Sequence, residues 1–540
     1  MISRLLTAES KSITGAAIVI AVATLTSRLV GVVRDRVFAH YFGAGAVLDA
    51  YYAAFKIPDL IYNLLIVGAL TAGFIPTFTK LFYTNDNKAP AWRLANNIIN
   101  IVGLALVVLF GLGIIFTAPL SKIIAPGFSG ANQQLVLSFT RIMFLSPVLL
   151  GISMVLGGIL QSLKQFILYS IAPIFYNIGI ILGATLLTKS ALGIQGLAAG
   201  VVLGALLHAG IQCYGAYASG FRWHWSFNLK DTNTLTIGKL MIPRTLGLAI
   251  TQLNVVVVTI LASFLPAGSI TVYNLANNLQ GVPIGIIGIP FALAVFPVLS
   301  TMVAKKNGAG FIEHLSATTR QILFLIIPIA IIILLLRAQI VRVFYGTGAF
   351  DWRATIATAN TLAFFALGLF AQSLVPLYAR AFYALSNTKT PFTLGVIAEL
   401  IAIIAALILM RPLGVAGLAL ASSIGAILNA LMLIIALRIE SGSIEEGKLF
   451  HMFYRVAIAA CAMGLTIQFL KFPLAGVLDL NRFWGILLQG FISGTVGLLV
   501  YGIICYCLKV HEMIHLHASL KRRWLRLWNV PAGIDEAEGL

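Results

Sequence analysis

Leu413-Gly-Val-Ala-Gly-Leu-Ala-Leu-Ala-Ser-Ser-Ile-Gly-Ala-Ile-Leu-Asn-Ala-Leu-Met-Leu-Ile-Ile-Ala-Leu437 contains no charged residue, and its length decides the fold class. Wound as a helix, such a run crosses a hydrocarbon core roughly 30 Å thick. Comparable runs recur from end to end, among them Ile98–Phe116 and Ile322–Leu336 with its flanks. In lipid every backbone polar group must be satisfied internally, which leaves helices or closed barrels. The apolar runs are continuous rather than alternating, so the chain reads as an all-α polytopic membrane protein.

Composition agrees. Of 540 residues 60% are hydrophobic and 10% charged, against about a quarter charged in soluble domains. The formal net charge of +19 sits in short loops, at span ends and in the tail. That is the positive-inside pattern, so the basic balance reports topology and not a nucleic-acid partner. Cys213, Cys461, Cys505 and Cys507 all fall in apolar spans and read as membrane-embedded thiols. Met1–Ser12 is polar and runs into motif-bearing sequence, so no cleavable leader is expected.

Hydropathy and breaks give about fourteen spans, the first at 13–41, the second at 50–82 and the seventh at 236–264. With the N-terminus inside, Lys80, Lys88, Arg93, Lys164, Arg222, Lys305, Lys306 and Lys448 fall on the cytoplasmic side. Fewer basic residues, such as Lys122, Arg337 and Arg411, fall opposite. Both termini are therefore expected in the cytoplasm. The chain also repeats at an offset of about 221 residues. Gly193-Ile-Gln-Gly196-Leu197 returns as Gly414-Val-Ala-Gly417-Leu418, Gly204-Ala205 as Gly425-Ala426, Phe74-Ile-Pro76 as Val295-Phe-Pro297, and Tyr52 as Tyr273. The repeat joins spans 1–6 to spans 7–12 in the same orientation. The expected organisation is an N-lobe at 1–225, a C-lobe at 226–440, two extra helices at 441–508 and a basic tail at 509–540. Two parallel six-helix lobes around a central cavity are the architecture of a transporter.

The first span carries Thr26-Ser27-Arg28-Leu-Val-Gly31-Val-Val-Arg34-Asp35-Arg36. Arg28 lies deep in it, and a charge at that depth faces a bundle interior or a watery cavity. On an ideal helix Arg28, Gly31 and Asp35 share a face and Arg34 points roughly 120° away; a glycine such as Gly31 can bend or tighten the helix enough to bring them together. Arg36 can equally snorkel to the interface. The second span carries Asp49-Ala-Tyr-Tyr-Ala-Ala-Phe55-Lys56-Ile-Pro58-Asp59, and Pro58 with Pro76 predicts a bent or broken helix. Lys56 and Asp59 are close enough to form an ion pair.

These blocks resemble the MurJ (MviN) lipid II flippases of the multidrug/oligosaccharidyl-lipid/polysaccharide exporter superfamily. The resemblance rests on Ser27-Arg28-Leu-x-Gly31-x-x-Arg34-Asp35, Tyr41-Phe42-Gly43-Ala-Gly45-(x)3-Asp49-Ala50 and Phe55-Lys56-Ile-Pro58. It continues through Gly68-Ala69, Ala125-Pro126-Gly127-Phe128 and Ala379-Arg380-Ala-Phe382-Tyr383-Ala384, and the tail adds two further helices. It implies a flippase, not an enzyme, that moves an undecaprenyl-pyrophosphate-linked precursor outward by alternating access, as a monomer in the bacterial inner membrane. It further implies that Arg28 and Arg34 line the cavity and that Asp49 is a site residue, with Ser27 and Asp35 beside them. Arginine suits a pyrophosphate because its guanidinium donates two parallel hydrogen bonds. Where relatives place further cavity arginines this chain has Tyr62 and Asn278, so Lys56 and Arg244 become candidate replacements.

Two signals stand apart. His511-Glu512-Met-Ile-His515 matches a zinc-protease pattern, but too few residues follow to fold a domain around it. A basic amphipathic tail with Lys521, Arg523 and Trp524 on anionic lipid is the favoured reading. Glu399, a lone carboxylate in the eleventh span, is a candidate for sodium or proton coupling or else a neutral bundle residue. No cofactor or metal is expected. The alternatives are a flippase for another lipid-linked oligosaccharide, a cation-coupled drug exporter of the same superfamily, and a non-transporting scaffold.

Overall fold

The computed structural model describes residues 13–64, 73–84 and 86–514, with side chains there apart from those of 13–18 and 242–251. Its first compact unit is Met1–Leu275 with Phe344–Ala357 and Ala406–Leu418. The helices run α1 (Ile13–Phe42), α2 (Ala46–Tyr62), α3 (Ile75–Thr84), α4 (Ala89–Ile115), α5 (Thr117–Ile124), α6 (Gly130–Met143), α7 (Leu145–Ser162), α8 (Phe166–Thr185), α9 (Gly196–Ala218) and α10 (Thr232–Ser263). They continue as α11 (Ser269–Pro283), α12 (Ile289–Ala304), α13 (Gly308–Leu335), α14 (Arg337–Tyr345), α15 (Trp352–Ala384), α16 (Lys389–Leu413), α17 (Val415–Ser441), α18 (Glu446–Val477) and α19 (Phe483–Cys507). The second unit is Ala276–Val343 with Thr358–Ala405 and Ala419–Leu540.

Regular structure among the described residues is helical, as the continuous apolar runs require. Eleven spans are long and apolar enough to cross a membrane among those residues. The expected first and seventh spans coincide with α1 and α10. The second is carried by α2 and α3, on either side of residues 65–72, which lie outside the description. The eleven are counted among the described residues alone. Pro58 leaves α2 helical across it.

Lipid tails are as apolar as leucine, so helices associate in a membrane by close packing and hydrogen bonds. In the first unit α8 meets α9 along Gly179, Gly183, Gly200 and Gly204. A Cβ on Gly179 would lie 2.3 Å from the Cα of Gly204, and one on Gly183 would lie 2.3 Å from that of Gly200. Only glycine permits that approach. α1 packs against α8, which places its Arg34 beside Asn177.

An extended linker leads from α9 to α10, and α4 holds it with three asparagines. Asn97 donates to Asn228 O (2.8 Å) and accepts from Asn228 N (2.6 Å). Asn96 bonds Arg222 O (3.1 Å) and His224 N (2.8 Å), and Asn100 bonds the carbonyls of His224 (3.1 Å) and Ser226 (3.0 Å). Side-chain amides here replace a neighbouring strand as hydrogen-bond partners of the linker's backbone groups. Asp231 then caps α10 through Thr234 N at 2.9 Å.

In the second unit the α18–α19 pair packs on α13 around Phe324, Met452, Val456, Met463 and Tyr501. Pro328 lacks the N–H that would bond Phe324 O one turn back. The Tyr501 hydroxyl donates to that carbonyl instead, at 2.8 Å. Arg320 joins Glu512 (2.9 Å) and Glu445 (3.5 Å), so one α13 side chain holds both ends of the α18–α19 hairpin. All four cysteines are free thiols.

Candidate functional site

A cavity of about 540 Å³ opens in the first unit among α1, α2, α7, α8 and α9, a volume usual for small-molecule sites. α1 contributes Ile20, Thr24, Ser27, Arg28 and Arg34. Heptad spacing puts residues 20, 27 and 34 on nearly one line of a helix, with 24 and 28 on its flank. The two arginines therefore bracket a single stripe, and α1 runs through Gly31 without a break. Asp35 turns inward, 3% exposed.

Arg34 is fixed on all sides. Its Nε (3.0 Å) and Nη2 (2.7 Å) donate to Asp35 Oδ1, and its Nη1 donates to Asn177 Oδ1 at 3.0 Å. Asn177 is itself oriented by donating to Pro173 O at 3.1 Å. Arg28 is different: among the described residues it makes no hydrogen bond or ion pair, and it borders the cavity. One arginine is neutralised and held; the other is available to an anion.

The remaining wall is uncharged apart from Asp59. It carries Tyr62 from α2, Tyr169, Ser170 and Tyr176 from α8, and His208 from α9. Pro173 deprives Tyr169 O of its helical donor, and Gln212 Nε2 supplies one at 3.3 Å. His208 Nδ1 lies 2.7 Å from Ser153 Oγ, and its ring meets that of Tyr176 edge-on at 6.5 Å.

A family model described as Lipid II flippase MurJ matches residues 38–478. The chain belongs to this family. Similarity to a probable lipid II flippase MurJ of Vibrio cholerae serotype O1 is 28% identity over 508 residues, covering 91% of this chain and 94% of that one. A lipid II flippase MurJ of Burkholderia cenocepacia is 26% identical over 422 residues, covering 77% and 82%. The solved structure of a lipid II flippase MurJ in an inward closed conformation matches with a TM-score of 0.74 at 26% identity, covering 91% of this chain and 99% of that one. An inward-facing multidrug resistance MATE transporter matches with a TM-score of 0.65 at 15% identity, covering 80% and 99%, and shares the fold. The chain is thus a multi-pass inner-membrane protein with a MurJ fold.

Of the residues singled out by the MurJ resemblance, Ser27, Arg28 and Arg34 border the cavity, with Asp35 behind Arg34. Asp49 is placed elsewhere. It is 1% exposed and accepts from Gly268 N (2.6 Å), Thr271 N (2.8 Å) and Thr271 Oγ1 (2.6 Å). It sits in the first turn of α2 and caps α11, so one carboxylate serves two positive helix ends. Lys56 lies two turns on and donates to Asn274 Oδ1 at 3.1 Å. Among the described residues it forms no ion pair with Asp59, and it does not line the cavity. The Arg244 side chain lies outside the description. Asn278 is exposed on α11, and Glu399 is half-buried on α16.

His511 and Glu512 border a second cavity of about 1060 Å³ in the second unit. Glu512 is spent on Arg320, and no group of three metal-binding side chains forms among the described residues. His515, Lys521, Arg523 and Trp524 lie outside the description.

Proposed function

We propose that this chain carries lipid II, an undecaprenyl-pyrophosphate-linked peptidoglycan precursor, from the inner to the outer leaflet by alternating access. The observation that carries the reading is Arg28, without a hydrogen bond or ion pair among the described residues, beside a cavity whose other arginine is immobilised by Asp35 and Asn177. A pyrophosphate brought out of water needs a fixed cation close by, since desolvating an ion costs several kcal/mol even after relaxation. Membership of a family whose relatives are named lipid II flippases supports it.

In this account the α2–α11 joint is a gate. Asp49 and Lys56 close it, and breaking their bonds to Gly268, Thr271 and Asn274 would open that end. Both termini face the cytoplasm, the chain works as a monomer, and Glu399 is the candidate for sodium or proton coupling. A flippase for another lipid-linked oligosaccharide is the second reading, favoured by the uncharged Tyr62 on the cavity wall. The test is complementation of a bacterial cell depleted of its own lipid II flippase. Growth with normal shape supports the proposal. Lysis despite membrane-inserted, folded protein rejects it.

A further inference from the structure

The cavity wall formed by α8 has polar groups with nothing to bind. Ser170 is 7% exposed, yet its Oγ has no hydrogen-bond partner among the described residues, and the same holds for the buried hydroxyl of Tyr176. Both residues line the cavity. A buried hydroxyl without a partner costs about 1–3 kcal/mol. Many helical serines and threonines elsewhere in this chain avoid that cost by bonding the carbonyl one turn back, although the buried Thr358 and Ser493, which border no part of this cavity, do not. Ser162 does so to Gly158 (2.8 Å), Thr140 to Val136 (2.7 Å) and Ser373 to Leu369 (2.9 Å). Ser170 has the carbonyl of Phe166 in the equivalent place and forgoes it.

Two such hydroxyls on one helix, both at one cavity, mark a surface waiting for a ligand. Its chemistry is specific. The wall has no cation of its own, unlike the α1 stripe with Arg28 and Arg34. It combines hydroxyls with the aromatic rings of Tyr62, Tyr169 and Tyr176. Hydroxyl groups exchange hydrogen bonds with a neutral polyhydroxylated ligand, because each both donates and accepts. Aromatic faces cover its C–H surface, burying apolar area while the hydroxyl stays polar. Tyr62 replaces a charge with a ring at the place where the family resemblance leads one to expect arginine.

We propose that Ser170 and Tyr176, with Tyr62 and Tyr169, form a saccharide subsite that holds the sugar attached to the phosphate bound at Arg28. This rests on the lipid-pyrophosphate reading above and adds which part of the substrate each wall recognises. Anion and sugar are separated, cation on α1 and hydroxyls on α8, so selectivity for the glycosylated carrier resides in α8.

The experiment uses the full-length protein in lipid nanodiscs and two probes: undecaprenyl pyrophosphate, and the same lipid carrying the peptidoglycan disaccharide. Affinities are measured for the unaltered protein, Ser170→Ala, Tyr176→Phe and the double variant. Each single change is expected to weaken binding of the glycosylated lipid roughly 3- to 10-fold, the value of one hydrogen bond, and to leave the bare lipid unchanged. Retained binding of the bare lipid also reports an intact fold. Equal loss for both probes, or no loss for either, overturns the subsite while leaving the flippase reading in place. Failure of the unaltered protein to bind either probe overturns both.

Discussion

Replacing Asp49 by Asn keeps the shape of the side chain and removes its charge. One carboxylate oxygen becomes an NH2 group. The two oxygens now serve Gly268 N on one side and Thr271 N with Thr271 Oγ1 on the other, so the amide must turn a donor toward a backbone donor. Hydrogen bonds to a charged acceptor contribute about 1.5–3 kcal/mol, and the site is 1% exposed, so water does not compensate. The α2–α11 joint should weaken by about 2–3 kcal/mol, a factor of roughly 30–150 in its open population. Amide hydrogen exchange of the native protein reads that population, because protected amides exchange through local opening. The segment from Gly268 to Thr271 should exchange at least 30-fold faster in Asp49→Asn, with α8 and α9 unchanged. Wild-type protection at Thr271 in a well-folded variant would refute the capping argument.

Three further outcomes follow from the packing. Gly179→Val should prevent stable folding, because even its Cβ would lie 2.3 Å from Gly204; a wild-type melting temperature would show that the α8–α9 approach is not required. Tyr501→Phe leaves Phe324 O bare beside Pro328 and should cost about 1–3 kcal/mol, read as a lower unfolding midpoint in detergent. Glu445 lies in the loop before α18, where the hydrogen bond from Lys448, with Arg320 near, holds its carboxyl below the usual carboxylate range. A depressed carboxylate stabilises above its unfolded value of about 4.3, and that contribution is lost as pH falls through the folded value. The 442–446 loop should therefore stay protected at neutral pH and loosen only as pH falls below the usual carboxylate range. Lys448→Gln should move that loosening upward, and an unmoved profile would contradict the assignment.

The helical spans were legible because twenty apolar residues have one way to satisfy their backbone in lipid. Arg28 was legible by depth alone. Asp49 was singled out, but its partners lie more than two hundred residues away, and no local pattern says that the ends of α2 and α11 meet. Asn96, Asn97 and Asn100 look like ordinary polar residues at a span end until the linker is seen against them. Glu512 imitates a zinc motif because His-x-x-x-His spacing recurs by chance on helices, whereas its partner Arg320 sits on another helix. Tyr62 registered only as a missing arginine. Ser170 and Tyr176 gave no signal, since small hydroxyls are common in membrane helices; Pro173 was the one local hint that α8 departs from regular bonding.

The central claim is that Arg28 serves the substrate and not the fold. It is tested most directly by measuring lipid II export in cells that depend on this protein, comparing the unaltered chain with Arg28→Ala at matched membrane levels. Export is expected to stop while the variant keeps its melting temperature, because Arg28 makes no ion pair among the described residues that folding would lose. Normal export by a well-expressed Arg28→Ala protein would contradict it.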